Sequence, residues 1–278
     1  MDELSLREIQ ETELQLLLKF HEICARHGWR YSLSGGSLIG AVRHQGFIPW
    51  DDDVDVVMPR PDYDQFTAYC KTEQIPFGFV HYETVQGYHG LFARLWDRDT
   101  VVEDSVADFA FEFGISMDIF PVEGMGASRE EALRIFRKTA WDRELLNAVA
   151  WKKYARSKTH GLWMEPIRFM MFVISRFVDP VRLLKKVDRV NRSHPFETSE
   201  YAASVCGVYR TREIMPRKVF SELRDTQFEG HTVKIMQDYD TYLGSLFGDY
   251  MTLPPEHKRV SHHTFRAYRK HTEEGAKA

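Results

Sequence analysis

The run Asp51-Asp52-Asp53-Val54-Asp55-Val56-Val57 packs four carboxylates into five positions and ends in apolar residues. A strand sends alternate side chains to opposite faces, so this spacing predicts a strand over residues 50–57. Asp51, Asp53 and Asp55 then share one face, Val54 and Val56 enter a core, and Asp52 is left as an exposed or capping acid. Like charges this close raise one another's pKa unless something cationic lies between them. A hard divalent ion with oxygen ligands fits, and Mg²⁺ held by one or two carboxylates characteristically serves phosphate chemistry. A solvated acidic turn is the plainer alternative, but such turns rarely alternate with Val. An EF-hand loop starting at Asp51 would need Gly at its sixth position and Glu at its twelfth; these are Val56 and Asp62, and calcium signalling is excluded.

The surrounding chain reads as mixed α and β. Ser5-Leu6-Arg7-Glu8 is a capping box that opens a helix ending near His27-Gly28. A short strand over 29–33 leads into Ser34-Gly35-Gly36-Ser37 and a short helix over 38–43. Pro59-Arg60-Pro61-Asp62 starts the next helix. Strands are predicted around 79–81, 91–96, 101–103 and 115–120. A long helix is predicted from Ser128 to about Tyr154, an apolar helix over 162–177 and another over 180–192. Strand candidates follow at 202–205 and 219–220, with a terminal helix near 235–247. The composition shift at Ser128 divides the chain into an α/β part, 1–127, and a mostly helical part, 128–278, expected to complete the site and bind the acceptor.

Charge and cysteine content narrow the classes. With 37 basic and 41 acidic residues and no polybasic block, nothing supports a nucleic-acid partner. Cys24, Cys70 and Cys206 have no paired spacing, which argues against zinc and for a reducing compartment. The opening Met-Asp-Glu has no basic region followed by an apolar run, so a secretory leader is not expected and cytoplasmic residence is. The 162–177 helix is too short, and too interrupted by Glu165, Pro166, Arg168 and Arg176, to span a bilayer. Core or oligomer contact is the first reading for it, and peripheral membrane attachment the second.

Several side chains suggest chemistry. Gly35 and Gly36 between a strand and a helix let backbone approach an anion, and the helix N-terminus offers free N–H groups. Asp118 is a lone acid between Met117 and Ile119, costly to bury unless coordinated or paired with an arginine. Arg94, inside an apolar strand, needs an anionic partner, which one of these acids could be. Arg43 and His44 follow the glycine helix, where they can neutralise phosphate or sit at the surface. His257, Arg259, His262 and His263 cluster near the end, suited to phosphate contacts or to plain solvent exposure. Trp50, Tyr88, Trp96, Phe109 and Phe111 are the aromatics available to a cationic headgroup, though strand aromatics are more often core.

The block Tyr31–Arg60, with its Ser-Gly-Gly-Ser, Arg-His-Gln-Gly-Phe-Ile-Pro-Trp and Asp-Asp-Asp-Val-Asp segments, resembles the signature of the LicD family. The resemblance extends to Ser116–Pro121 and to Phe247–Glu256, while residues 125–200 carry no matching motif. It implies an α+β fold with a nucleotidyltransferase-like mixed β-sheet core flanked by helices. It also implies transfer of phosphocholine, or a related phospho-alcohol, from CDP-choline or another CDP-alcohol to a hydroxyl of a cell-surface glycan, releasing CMP. Teichoic acid, lipopolysaccharide or a capsule precursor would be the acceptor, and a lipid-linked acceptor would bring the enzyme to the inner face of the membrane. By the family pattern Gly36 and Ser37, in the Gly35-Gly36-Ser37 motif, hold donor phosphates; Arg43, His44, Arg94 and His262 are the further phosphate-binding candidates that the residues themselves suggest. Asp53 and Asp55 bind Mg²⁺ (Mn²⁺ as the substitute), Asp118 completes the set, and Asp51 is an accessory. Nucleotide transfer to a small alcohol or phosphate, and a silent glycan-binding protein, are the competing readings.

Overall fold

The computed structural model describes residues 2–103, 111, 113–151, 153–154, 161–261 and 265–270. In chain order the elements are β1 (Asp2–Glu3), α1 (Leu6–His27), β2 (Ser32–Leu33), α2 (Gly35–His44), β3 (Val54–Pro59), α3 (Arg60–Thr72), β4 (Gly78–Val80), β5 (Ala93–Trp96), β6 (Thr100–Glu103) and β7 (Ser116–Gly124). The second half contributes α4 (Arg129–Lys138), α5 (Ala140–Val149), α6 (Glu165–Ser175), α7 (Pro180–Asn191), β8 (Tyr201–Ala203), β9 (Met215–Pro216), α8 (Lys218–Ser221), β10 (Leu223–Phe228), β11 (His231–Met236), α9 (Tyr239–Phe247) and β12 (Arg266–Arg269). The fold is mixed α+β, as expected.

The main sheet runs β2-β3-β7-β5-β4, with β8 pairing the far end of β7 and β9 beyond it. Only β3 and β7 are parallel; β2 and β5 run antiparallel to their neighbours. α1 begins at the predicted capping box, where the Ser5 hydroxyl and the Glu8 carboxylate exchange bonds with each other's backbone N–H, and ends at Gly28 in the left-handed region (φ 69°). Its buried stripe, including Leu17 and Phe20, packs on the sheet with Val54, Val56, Met117 and Ile119. Fully burying one such side chain contributes about 1.5–3 kcal/mol, which fixes α1 across the sheet. A buried ion pair locks α3 to β7: Arg60 Nε donates to Glu123 Oε2 at 2.8 Å, and Nη2 also reaches that carboxylate.

Four expectations are corrected. The acidic run is not strand from residue 50: β3 starts at Val54, and Asp51–Asp53 form the approach to it. The long helix from Ser128 breaks at Thr139 (φ −108°, ψ 3°) into α4 and α5. There Arg143 Nη1 bonds the Phe136 carbonyl at 3.1 Å, taking an acceptor that a continuous helix would use. Val219-Phe220 is a helical turn rather than a strand, because two adjacent apolar residues carry no readable period. Finally, Ile235 belongs to the hairpin β10–β11, not to the terminal helix. That hairpin turns at Glu229 (φ 49°) and Gly230 (φ 79°), the two positive-φ residues of a tight two-residue loop.

Candidate active site

Sheet register builds the site. Asp55 on β3 stands directly opposite Asp118 on β7, and Asp118 directly opposite Arg94 on β5. Two acids and a cation therefore form one row across three adjacent strands. Arg94 is ion-paired with Asp118: Nη2 donates to Oδ2 at 3.0 Å, and Nε lies 2.8 Å from Oδ1 without the alignment of a hydrogen bond. The arginine pairing weighed for Asp118 is thus present. Burial alone would lower the Arg94 pKa, but Asp118 more than compensates, with smaller help from Tyr88 and Asp55.

The α2 N-terminus abuts this row because its first turn is stitched to the start of β3. Ser34 N–H donates to the Asp55 carbonyl at 3.0 Å, and Asp55 N–H donates to Ser37 Oγ at 2.8 Å. The Ser37 hydroxyl is buried and also reaches the Asp53 carbonyl at 3.4 Å. The two glycines open this turn to the acids. A Cβ on Gly35 would lie 3.4 Å from Asp55 Oδ2, and one on Gly36 only 2.7 Å from Asp51 Oδ2. Gly35 also takes a positive φ of 54° and donates its N–H to the Tyr242 hydroxyl.

Two clefts meet at Asp53 and Asp55. The larger, about 700 Å³, is lined by Gly35, Gly36, Asp51, Asp53, Asp55 and Arg43 together with aromatic residues and parts of the 249–260 segment. The smaller, about 270 Å³, lies behind them with Asp52, Asp118, Arg94 and Glu13. Asp52, expected at the surface, is buried and accepts from Ser261 Oγ at 2.8 Å. It is therefore a structural acid that ties the C-terminal segment to the approach loop. Arg43 lines the larger cleft, where Nη1 donates to the Tyr250 carbonyl at 2.7 Å and Nε to His44 Nε2 at 2.9 Å. Burial lowers the pKa of both Arg43 and His44. His257 reaches the larger cleft; His262, His263 and Phe109 fall outside the described residues.

The electrostatics centre on Asp55. Burial, then the carboxylates of Asp53, Asp118 and Asp51, push its pKa well up, with Arg94 pulling the other way. Glu13 on α1 adds a further acid. It is buried, its Oε2 has no hydrogen-bond partner, and burial followed by Asp53, Asp52, Asp51 and Asp55 raises its pKa strongly. This residue was missed in the sequence, although it occupies the apolar stripe between Ile9 and Leu16/Leu17, where an acid is out of place. Tyr209, Phe247 and Tyr250 were missed as cleft aromatics, while of those singled out beforehand only Trp50 lines the larger cleft. Tyr88 is instead core, its hydroxyl donating to the Phe92 carbonyl at 3.0 Å.

Among the described residues no three His, Cys, Asp or Glu side chains stand together closely enough to hold one ion. Asp118 is drawn toward Arg94 instead. Asp53 and Asp55 are nevertheless suited to a hard cation: both are oxygen donors, burial and the neighbouring carboxylates disfavour ionised Asp55 in a way a cation would relieve, and Mg²⁺ commonly takes only one or two carboxylates plus substrate phosphate.

A sequence model of the LicD/FKTN/FKRP nucleotidyltransferase domain matches residues 28–183. The chain is 31% identical over 276 residues to the lipopolysaccharide cholinephosphotransferase LicD of Haemophilus influenzae, covering 96% of this chain and 99% of that protein. Two uncharacterised proteins, RP689 of Rickettsia prowazekii and RT0683 of Rickettsia typhi, are each 44% identical over 48 residues. That stretch is 17% of this chain, and 18% and 16% of theirs.

Proposed function

The chain belongs to the LicD/FKTN/FKRP family of nucleotidyltransferase domains, and from that premise we propose that it transfers phosphocholine from CDP-choline to a hydroxyl of a lipopolysaccharide-type glycan, releasing CMP. The observation that carries this reading is the larger cleft, whose lining gathers the Gly35-Gly36 turn, Asp53 and Asp55 together with four aromatics. A donor needs both: its pyrophosphate suits a helix N-terminus, and its quaternary ammonium suits the faces of Trp50, Tyr209, Phe247 and Tyr250. The Haemophilus relative, a lipopolysaccharide cholinephosphotransferase, favours choline as the alcohol and lipopolysaccharide as the acceptor over teichoic acid or a capsule precursor.

The donor's pyrophosphate lies along the α2 N-terminus, with Arg43, His257 and Lys258 lining the same cleft. Magnesium, held by Asp53 and Asp55, would supply neutralisation of the developing charge; Asp118, expected as a third ligand, is engaged by Arg94 instead. The acceptor hydroxyl approaches through the smaller cleft, where Asp118, paired with Arg94, is the acid that takes its proton. A new bond joins the acceptor oxygen to the phosphorus of phosphocholine, and the bond to the CMP oxygen breaks. Positioning and electrostatics provide most of the acceleration in such transfers.

The test combines CDP-choline, Mg²⁺ and a lipopolysaccharide acceptor with Asp53→Asn and Asp55→Asn proteins. Each substitution is expected to cut CMP release by at least about 100-fold while leaving the melting temperature close to that of the parent. Product mass should show the acceptor gaining phosphocholine. A gain of CMP would replace this reading with nucleotide transfer, and full activity in either variant would remove those acids from the mechanism.

A further inference from the structure

The helix α6 exposes most of its apolar surface. Only Met171 and Ser175 are buried, against α5, where Ser175 Oγ bonds the Ala148 carbonyl at 3.3 Å and Arg176 Nη2 reaches it at 2.8 Å. Outward stand Trp163 (76% exposed), Phe169 (52%), Met170 (45%) and Phe177 (86%), with Ile167 and Val173 also exposed. Scattered surface apolar residues need no explanation, but a contiguous patch of this kind marks an interaction site.

Its charge context names the partner. From Trp151 to Arg192 the sequence carries eleven Lys and Arg against three Asp and Glu, in a chain that totals 37 against 41. This stretch of sequence is therefore net basic by eight charges in a chain that is net acidic by four. Lys153, Arg176, Arg182, Lys185, Lys186 and Arg189 are all exposed. A second copy of this chain would bring two such basic surfaces face to face, which like-charge repulsion opposes. An anionic lipid surface offers both an apolar phase and opposite charge.

We propose that α6 and its flanking turns form an interfacial docking surface for an anionic bilayer, with Trp163 and Phe177 entering the headgroup region and the basic residues facing lipid phosphates. Eleven residues of helix span roughly 16 Å at 1.5 Å per residue, half a hydrocarbon core, so the helix lies on the bilayer and does not cross it. No helix among the described residues is long and apolar enough to cross. The combination of a basic rim with Trp and Phe on the apolar side is that of interfacial helices. This docking surface stands on exposure and charge alone, and does not depend on what reaction the acidic site performs.

Full-length protein floated with vesicles of phosphatidylcholine plus phosphatidylglycerol tests the proposal, with pure phosphatidylcholine vesicles as the contrast. Binding is expected to the anionic vesicles only, to weaken as salt is raised, and to shift Trp fluorescence to the blue. The paired substitution Trp163→Ser/Phe177→Ser should weaken binding about tenfold or more, because both side chains lose an apolar phase to enter. Lys185→Glu/Arg189→Glu should weaken it while leaving thermal stability unchanged. Two outcomes overturn the proposal: no binding to anionic vesicles at low salt, or a solution dimer abolished by Trp163→Ser/Phe177→Ser, which would assign the face to a second copy.

Discussion

Replacing Arg94 with Met keeps the bulk of the side chain and removes the one cation in the Asp55–Asp118–Arg94 row. Asp118 would lose an ion-pair partner at 2.8 and 3.0 Å and be left facing Asp55 across the strand pair. The Arg94 and Asp118 side chains are 22% and 18% exposed, so solvent screens the pair only in part. Breaking a buried pair by removing one member costs about 3–5 kcal/mol, and the residual exposure places this one near the lower end, roughly 3 kcal/mol. For a domain of this size that corresponds to a fall in melting temperature of roughly 6–12 °C. The assay is denaturant unfolding of the parent, Arg94→Met, Asp118→Asn and the double variant, all in chelator. Restoring charge balance through Asp118→Asn should return part of the loss, giving a coupling of at least about 1 kcal/mol. Adding Mg²⁺ should then stabilise Arg94→Met more than the parent, because Asp55 and Asp118 have lost their internal counterion. A coupling within about 0.5 kcal/mol of zero would refute the claim that Arg94 is what makes the row tolerable.

Burial pushes the Glu213 carboxyl up to about 8, despite the Tyr209 N–H that it accepts at 3.3 Å. A folded pKa raised above the unfolded value of about 4.5 means that this group's contribution is fully present below pH 4.5 and lost as pH rises through 8. Glu213→Gln should therefore flatten the stability profile over that window, and parallel urea titrations for parent and variant would count against it. Glu13→Gln should raise the melting temperature, most clearly above neutral pH, because it replaces a buried acid with an unpartnered oxygen amid four aspartates; a lower melting temperature would show that Glu13 has a partner after all. Gly36→Ala places a Cβ 2.7 Å from Asp51 Oδ2, so this flexible acid must move. Turnover should fall roughly tenfold or more, with melting changed by only a few degrees, and unchanged kinetics would separate Asp51 from the reaction.

How much of the fold was legible follows the range of the interactions involved. The ends of α1 were readable because Ser5, Glu8 and Gly28 act on their own backbone within a few residues. The break at Thr139 was not, because the side chain that ends α4 is Arg143, which folds back from the next helix. The sheet that joins β1, β12 and β6 was equally hidden, since it pairs residues 2–3 with 268–269 across nearly the whole chain. The 162–177 helix shows a different limit. Its apolar character was plain, and a core position was the natural reading, yet burial depends on what packs against it, and among the described residues α5 and the neighbouring Trp151 and Tyr154 cover one face and leave the other exposed.

The site divides along the same line. Asp53, Asp55 and the glycine turn announce themselves because their message is local: acids among valines, and glycines where a helix begins. Which acid receives a counterion is a question of register, and register lies in the pairing of residues 24 and 63 positions apart in sequence, where Arg94 meets Asp118 and Asp118 meets Asp55. The consequence is an ordering within the acidic cluster that composition alone does not contain. Asp118 is balanced by Arg94, and Asp52 is spent on Ser261. Burial and Asp53 leave the charged form of Asp55 disfavoured, which makes that pair, at the junction of the two clefts, the place where an incoming cation relieves most.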